Sequence, residues 1–188
     1  MFSLRSKNKY KDITPEIYQN IIERSRSKFF YLNMDIDDSF ESRFDIIVLH
    51  SFIIFYFLKN FSENEKKLSQ FLFDFMFNDF DNNLREMGFG DIAVNKKMKV
   101  FITAFYGRIA NYSQGVDQIK NNKGDDTLNR VIINNIYKGK NLNDNKLKFF
   151  KDYIVRNLDF FNSRSLKINI DENFRFIDFP YKEQNNER

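Results

Sequence analysis

Residues 80–108 read FDNNLREMGFGDIAVNKKMKVFITAFYGR. On the near side of Gly88, the residues Leu68, Phe71, Leu72, Phe75, Met76, Asn83, Leu84 and Met87 recur at intervals of three and four. Beyond Gly90, the same spacing runs through Val94, Met98, Phe101, Ile102, Phe105, Ile109 and Tyr112. This is the period of an α-helix with one buried face. Gly88 is placed as the left-handed residue that ends the first helix, and Gly90 keeps the turn tight. Asp91 is expected to cap the second helix and suits its positive end. Two amphipathic helices meeting at a two-glycine turn predict an all-α bundle.

Upstream of this pair, Ile46–Leu58 reads IIVLHSFIIFYFL and is apolar around its full circumference. Such a helix is normally surrounded by others. The run is too short for a bilayer span, which needs about 20 residues. Thr14-Pro15-Glu16 reads as a helix start, leaving residues 1–13 as a loose basic arm. That first helix is expected to end before Phe29. Ser62 and Glu65 fit a capping box at the start of the next long helix. Residues 113–123 read as a polar connection. Shorter helices follow from Asp125-Asp126-Thr127 and from Asn143 or Asp144, the last carrying Leu147, Phe150, Ile154, Leu158 and Phe161 inward. The sum is about six helices in one domain, with a core over residues 14–161. After Ser165 the period shortens to two through Leu166, Ile168 and Ile170, then Phe174, Phe176 and Phe179. This is either a small hairpin or an extended tail that lays phenylalanines over the bundle. Residues 181–188 read as a loose polar end.

Composition narrows the chemistry. Of 188 residues, 24 are Phe and none is Trp or Cys. The missing cysteines exclude disulfides, thiolate metal sites and cysteine catalysis. The net charge of +4 comes from 30 basic and 26 acidic residues that are interspersed, unlike the concentrated excess of a DNA-binding protein. No charged-then-apolar leader is read at the N-terminus, so secretion is not expected. One histidine and scattered serines form no triad. Gly88-Phe89-Gly90 lacks phosphate-loop spacing and a preceding strand. No cofactor or metal set is read, and the chain is not expected to be an enzyme.

Three features stay open. His50 lies inside the most apolar helix and reads as a core histidine that donates one N–H. Asp79 falls on an apolar face, where an unpaired carboxylate is costly. Neither His50 nor Arg108 matches Asp79 well in axial position; for His50 the mismatch is about 10 Å at 1.5 Å per residue. Lys96, Lys97 and Lys99 crowd the wrong end of a helix dipole. They form either a solvated face or a positive shoulder for an acidic partner.

The run Asp81-Asn82-Asn83-Leu84-Arg85-Glu86-Met87-Gly88-Phe89-Gly90-Asp91, followed by Val94, Lys96, Lys97 and Phe105-Tyr106-Gly107-Arg108, resembles the signature of the ubiquinol–cytochrome c chaperone family. Arg43-Phe44-Asp45, Leu49-His50 and Leu72–Phe77 extend the likeness upstream, and Asn135-Ile136-Tyr137 extends it downstream. The resemblance covers residues 15–160 and leaves the tail aside. It implies an all-helical, non-catalytic assembly chaperone for the cytochrome bc complex that binds newly made cytochrome b. It further implies a small second chaperone subunit and, in mitochondrial relatives, a place near the ribosomal exit. With no transit peptide evident, the chain resembles a bacterial member, cytoplasmic and peripheral to the inner membrane. An anionic membrane surface is then a further candidate partner. The runner-up reading is a peripheral lipid- or quinone-binding helical module. On the chaperone reading, Arg85, Glu86, Phe89, Asp91, Lys96, Lys97 and Arg108 form or border a partner surface. The alternative is that Arg85, Glu86, Asp91 and Arg108 only brace the turn. The phenylalanine surplus suggests apolar surface beyond the core.

Overall fold

Helix α3 (Phe40–Leu58) is the centre of the molecule. In the computed structural model, residues 3–59, 63–163 and 175–179 are described, with side chains from Tyr10 to Lys59 and from Lys66 onward. Six further helices complete the bundle: α1 (Ser3–Ser25), α2 (Lys28–Leu32), α4 (Glu63–Glu86), α5 (Asp91–Lys120), α6 (Asp126–Asn135) and α7 (Asp144–Ser163). Helices α1, α4, α5 and α7 all pack on α3. Ile46, Val48, Leu49, Phe52, Ile53 and Ile54 are therefore fully enclosed, as the all-round apolar pattern predicts. Each such side chain contributes about 1.5–3 kcal/mol of transfer free energy. Ser39 caps α3 by accepting from the Ser42 N–H, and Asn143 caps α7 by accepting from Lys146 N–H at 3.0 Å.

The phenylalanines mostly face inward. One aromatic chain runs Phe73–Phe77–Phe105 between α4 and α5, with ring centroids 4.4–5.6 Å apart. Phe44 continues it to Phe80 and Phe101. Much of the surplus is thus core, where edge-to-face pairs add to the burial term.

Several boundaries differ from the sequence reading. Helix α1 begins at Ser3, so residues 3–13 are helical and Pro15 sits inside the helix. Tyr10 and Ile13 are buried, which supplies the packing that holds this turn. Pro15 removes only the bond to the Lys11 carbonyl, on the exposed side where water can take its place. Thr14 Oγ1 turns back and donates to the Tyr10 carbonyl at 2.6 Å. Phe29 and Phe30 form a separate short helix, α2, capped by Ser27. Helix α5 continues to Lys120, so residues 113–120 are not a connection. Tyr112, Gly115 and Val116 are its buried face there, and the polar residues point outward. The expected Ser62–Glu65 capping box, the Leu166–Ile170 alternation and the 181–188 end lie outside the described residues. Residues 175–179 have no regular secondary structure and lie against α1 and α7.

Gly115 lies where α5 crosses α6. A Cβ there would stand 2.9 Å from Leu128 Cα on α6. The glycine lets the two backbones meet. Gly115→Ala, although favoured by helix propensity, is expected to cost about 1–3 kcal/mol through overpacking. Urea denaturation of the variant tests this. A gain in stability would mean that α6 yields freely.

Candidate functional site

The turn between α4 and α5 is closed by its own backbone. Gly88 has φ +87°. Phe89 N–H donates to the Leu84 carbonyl at 3.2 Å, and Gly88 N–H donates to Arg85 at 2.9 Å. These are the paired bonds of a Schellman ending. Gly90, with φ −72° and ψ 161°, is the N-cap residue and contributes no side chain. Its backbone is one that any residue adopts, so Gly90 is not needed to tighten the turn. Asp91 is the first helical residue rather than the cap. Its charge still lies in the first turn of α5, where the helix dipole favours it.

Arg85 spans the turn. Its Nε donates to Asp81 Oδ1 at 2.5 Å, and its Nη1 donates to Asp91 Oδ1. The two carboxylates hold the guanidinium pKa above its ordinary value. Arg85 and Asp91 are therefore braces, although exposed ones. Lys97 Nζ lies 4.7 Å from the Phe89 ring centre in a cation–π contact. The side chains of Glu86, Lys96 and Lys99 are exposed and make no hydrogen bond or ion pair to another described residue. Met87 and Ile92 flank them at 61% and 88% exposure. The turn thus presents apolar side chains beside unneutralised lysines.

A groove of about 250 Å³ adjoins it, between α1, α3 and α4. Met87, Phe40, Phe44, Phe80 and Ile22 line its apolar part, and Arg26 and Arg43 stand among the polar lining residues. Asp79, also on its wall, accepts from Tyr18 Oη at 2.7 Å. Burial, together with this bond to a carboxylate, pushes the Tyr18 hydroxyl pKa up. Neither of the partners weighed from the sequence holds Asp79. Its partner comes from α1, whose axial position sequence spacing does not reveal.

Arg108 does not join the turn. It stands about 25 Å further along α5 at 1.5 Å per residue. Its Nε is 2.7 Å from Oδ1 of the fully buried Asp45. The two groups form an ion pair. Lys138 reaches Asp45 Oδ2 from the α6 end. Burial pushes the Asp45 carboxyl up, and Lys138 and Arg108 only partly offset it. Arg108 also lies over the Phe44 ring at 5.3 Å. Asp45, Arg108 and Lys138 form a knot joining α3, α5 and the end of α6. The sequence carried one signal of it, an acid at the edge of the longest apolar run.

His50 is also structural. It is fully enclosed. Its Nδ1 lies 2.8 Å from the Ile46 carbonyl and 2.9 Å from Ser25 Oγ; its Nε2 is 3.0 Å from Tyr153 Oη. The neutral ring donates Nδ1–H to Ile46 and accepts from Tyr153 at Nε2. Burial pushes its pKa down to about 3. Having no open face, the ring is not placed to serve as a base for an external substrate.

These residues now have a family context. The sequence pattern of the ubiquinol-cytochrome C chaperone family matches residues 32–176. The chain belongs to that family. Ubiquinol-cytochrome c reductase complex assembly factor 1 of Mus musculus is 27% identical over 111 residues, covering 59% of this chain and 38% of that protein. The Homo sapiens protein of the same name gives 27% over 111 residues, 59% and 37%. The chain thus matches less than two-fifths of the length of these curated relatives. The crystal structure of the Cbp3 homolog from Brucella abortus has a TM-score of 0.77 and 26% identity, covering 93% of this chain and 94% of that one. The turn, the groove's α3 and α4 walls, the Asp45 knot and His50 all fall inside the stretch matched to the chaperone family. Among the described residues, no helix is long and apolar enough to cross a membrane.

Arg108→Ala leaves a buried carboxylate with only Lys138. It is expected to cost about 3 kcal/mol, the scale for breaking a buried pair, while Arg85→Ala barely moves the urea midpoint. Equal effects would contradict the division into knot and brace. His50 gives a pH signature. Its folded pKa lies below the ordinary 6.5, so the unfolded chain binds the extra proton between those values. Its stability contribution is complete above pH 6.5 and falls on acidification at about 1.4 kcal/mol per pH unit. Unfolding free energies from urea titrations at pH 7 and pH 5 should differ by about 2 kcal/mol more in the native chain than in His50→Gln. Equal differences would contradict a neutral buried ring.

Proposed function

We propose that this chain is a non-catalytic assembly chaperone for the ubiquinol–cytochrome c reductase complex, acting by protein–protein contact on newly made cytochrome b. The observation that carries the reading is the family match over residues 32–176. The geometry supports it in a second way. A nascent membrane protein exposes apolar segments flanked by charge, and Met87, Ile92, the adjoining groove and Lys96 offer complementary chemistry at one end of the bundle. Glu86, Phe89 and Lys97 border that surface. Arg85 and Asp91 shape it by fixing the turn, and Arg108 acts elsewhere, through the core. A small second chaperone subunit, the ribosome and an anionic membrane surface are further partners of the proposed activity, placing it in the cytoplasm at the inner membrane.

The lipid or quinone reading keeps one supporting observation, the apolar lining of the groove. At about 250 Å³ the groove is smaller than most small-molecule sites. That size suits protruding side chains of a partner better than an enclosed isoprenoid tail.

Deleting the gene is expected to lower cytochrome b and assembled complex together, with the wild-type chain restoring both. A chain carrying Met87→Asp, Ile92→Asp and Lys96→Glu should fold normally by circular dichroism yet recover several-fold less cytochrome b on co-purification. Unchanged cytochrome b after deletion would overturn the chaperone reading. Undiminished capture by the triple variant would remove the turn as the contact. Release of a bound lipid or quinone from the purified chain would favour the second reading.

A further inference from the structure

We propose that the bundle carries a second binding site, a groove between α1 and α7 that recognises an extended peptide with phenylalanines at positions i and i+3, and that residues 176–179 occupy it as a built-in ligand. This reading goes beyond the assembly function and does not rest on it.

The segment is held as a peptide ligand is held, by its backbone and by two side-chain pockets. Arg24 Nη2 donates to the Phe176 carbonyl at 2.9 Å. The Ile177 N–H donates to Asn157 Oδ1 at 3.0 Å. Phe176 enters the first pocket, 4.8 Å from the His50 ring and 5.8 Å from Phe161. Phe179 enters the second, stacked on Phe29 at 4.3 Å and on Tyr153 at 5.6 Å. Arg24 closes over it, 4.6 Å from the ring centre. Asp178 points to solvent and only skirts Arg24 at 3.5 Å. The bonds read the main chain and the pockets read two rings, so the required ligand is short.

The floor of the groove is prearranged. Asn157 is fully buried, and its Nδ2 is already committed to the Tyr153 carbonyl at 2.8 Å. That leaves Oδ1 aimed into the groove, where Ile177 supplies the matching N–H. Beneath it, Tyr153 is locked to His50, and His50 to Ile46. Without an occupant, a buried acceptor would lose its partner and several rings would face water, both costly. The groove therefore favours exchange of one extended segment for another over standing empty. A competitor in trans must outbid a segment present at the effective concentration of an intramolecular ligand.

The test uses the full chain and a fluorescein-labelled peptide of residues 173–181. The Phe176→Ala/Phe179→Ala chain frees the groove and should bind the peptide at least tenfold more tightly than the native chain does. Replacing the peptide's Phe176 and Phe179 by alanine, or adding Asn157→Ala to the chain, should each cost at least tenfold. Equal, weak binding by the native chain and a helical, folded double variant overturns the proposal. A second measurement stands apart from folding of that variant. The chain has no cysteine of its own, so Asp178→Cys can carry a single spin label. Excess peptide should convert an immobilised spectrum to a mobile one, and a spectrum unmoved by saturating peptide overturns the proposal as well.

Discussion

The burial of α3 on every side is the constraint from which the other contacts follow. A helix without a polar face must be enclosed, and α1, α4, α5 and α7 do so. Two side chains on α3 cannot enter such an interior alone. Asp45 takes its counter-charges from α5 and from beyond α6, and His50 takes its partners from α1 and α7. The polar exceptions on the most apolar helix therefore decide which neighbours sit where. An apolar core tolerates many packings, whereas a buried carboxylate accepts few.

That division separates residues that belong to one motif in sequence. Arg85 and Arg108 bracket the same signature, yet one tightens an exposed turn and the other compensates a charge inside the bundle. The surface left over at the turn consists of Met87, Ile92, Lys96 and Lys99, none of them committed to the core or to an acidic neighbour among the described residues. A rigid Schellman turn presents them, so the conformational cost of organising this patch has been met during folding rather than on contact.

The groove between α1 and α7 follows a different logic. There the structure has an acceptor, a guanidinium and two aromatic pockets, and a piece of the same chain fills them. The polar network under that segment ties it to His50, so the occupancy of the groove and the packing of the central helix share residues. Any change that ionises or removes His50 disturbs both, because Tyr153 serves the ring on one side and Phe179 on the other.

Helix period, the Gly88 ending, the cap near Asn143, the encirclement of α3 and the core role of His50 were all legible in the sequence. Each depends on near neighbours along the chain or on an unbroken apolar pattern. Helix α1 upstream of Pro15 and the far end of α5 were misread because local signals, a Thr-Pro pair and a glycine in a polar run, are overridden by packing that arrives from elsewhere. Tyr10 and Ile13 anchor the first, and Leu128 gives Gly115 its reason. The partners of Asp79, Asp45 and Asn157 belong wholly to the tertiary structure. The two carboxylates and the Asn157 Oδ1 are each met by a residue distant in sequence, and a charge or amide states that it needs a partner without stating which helix will bring it.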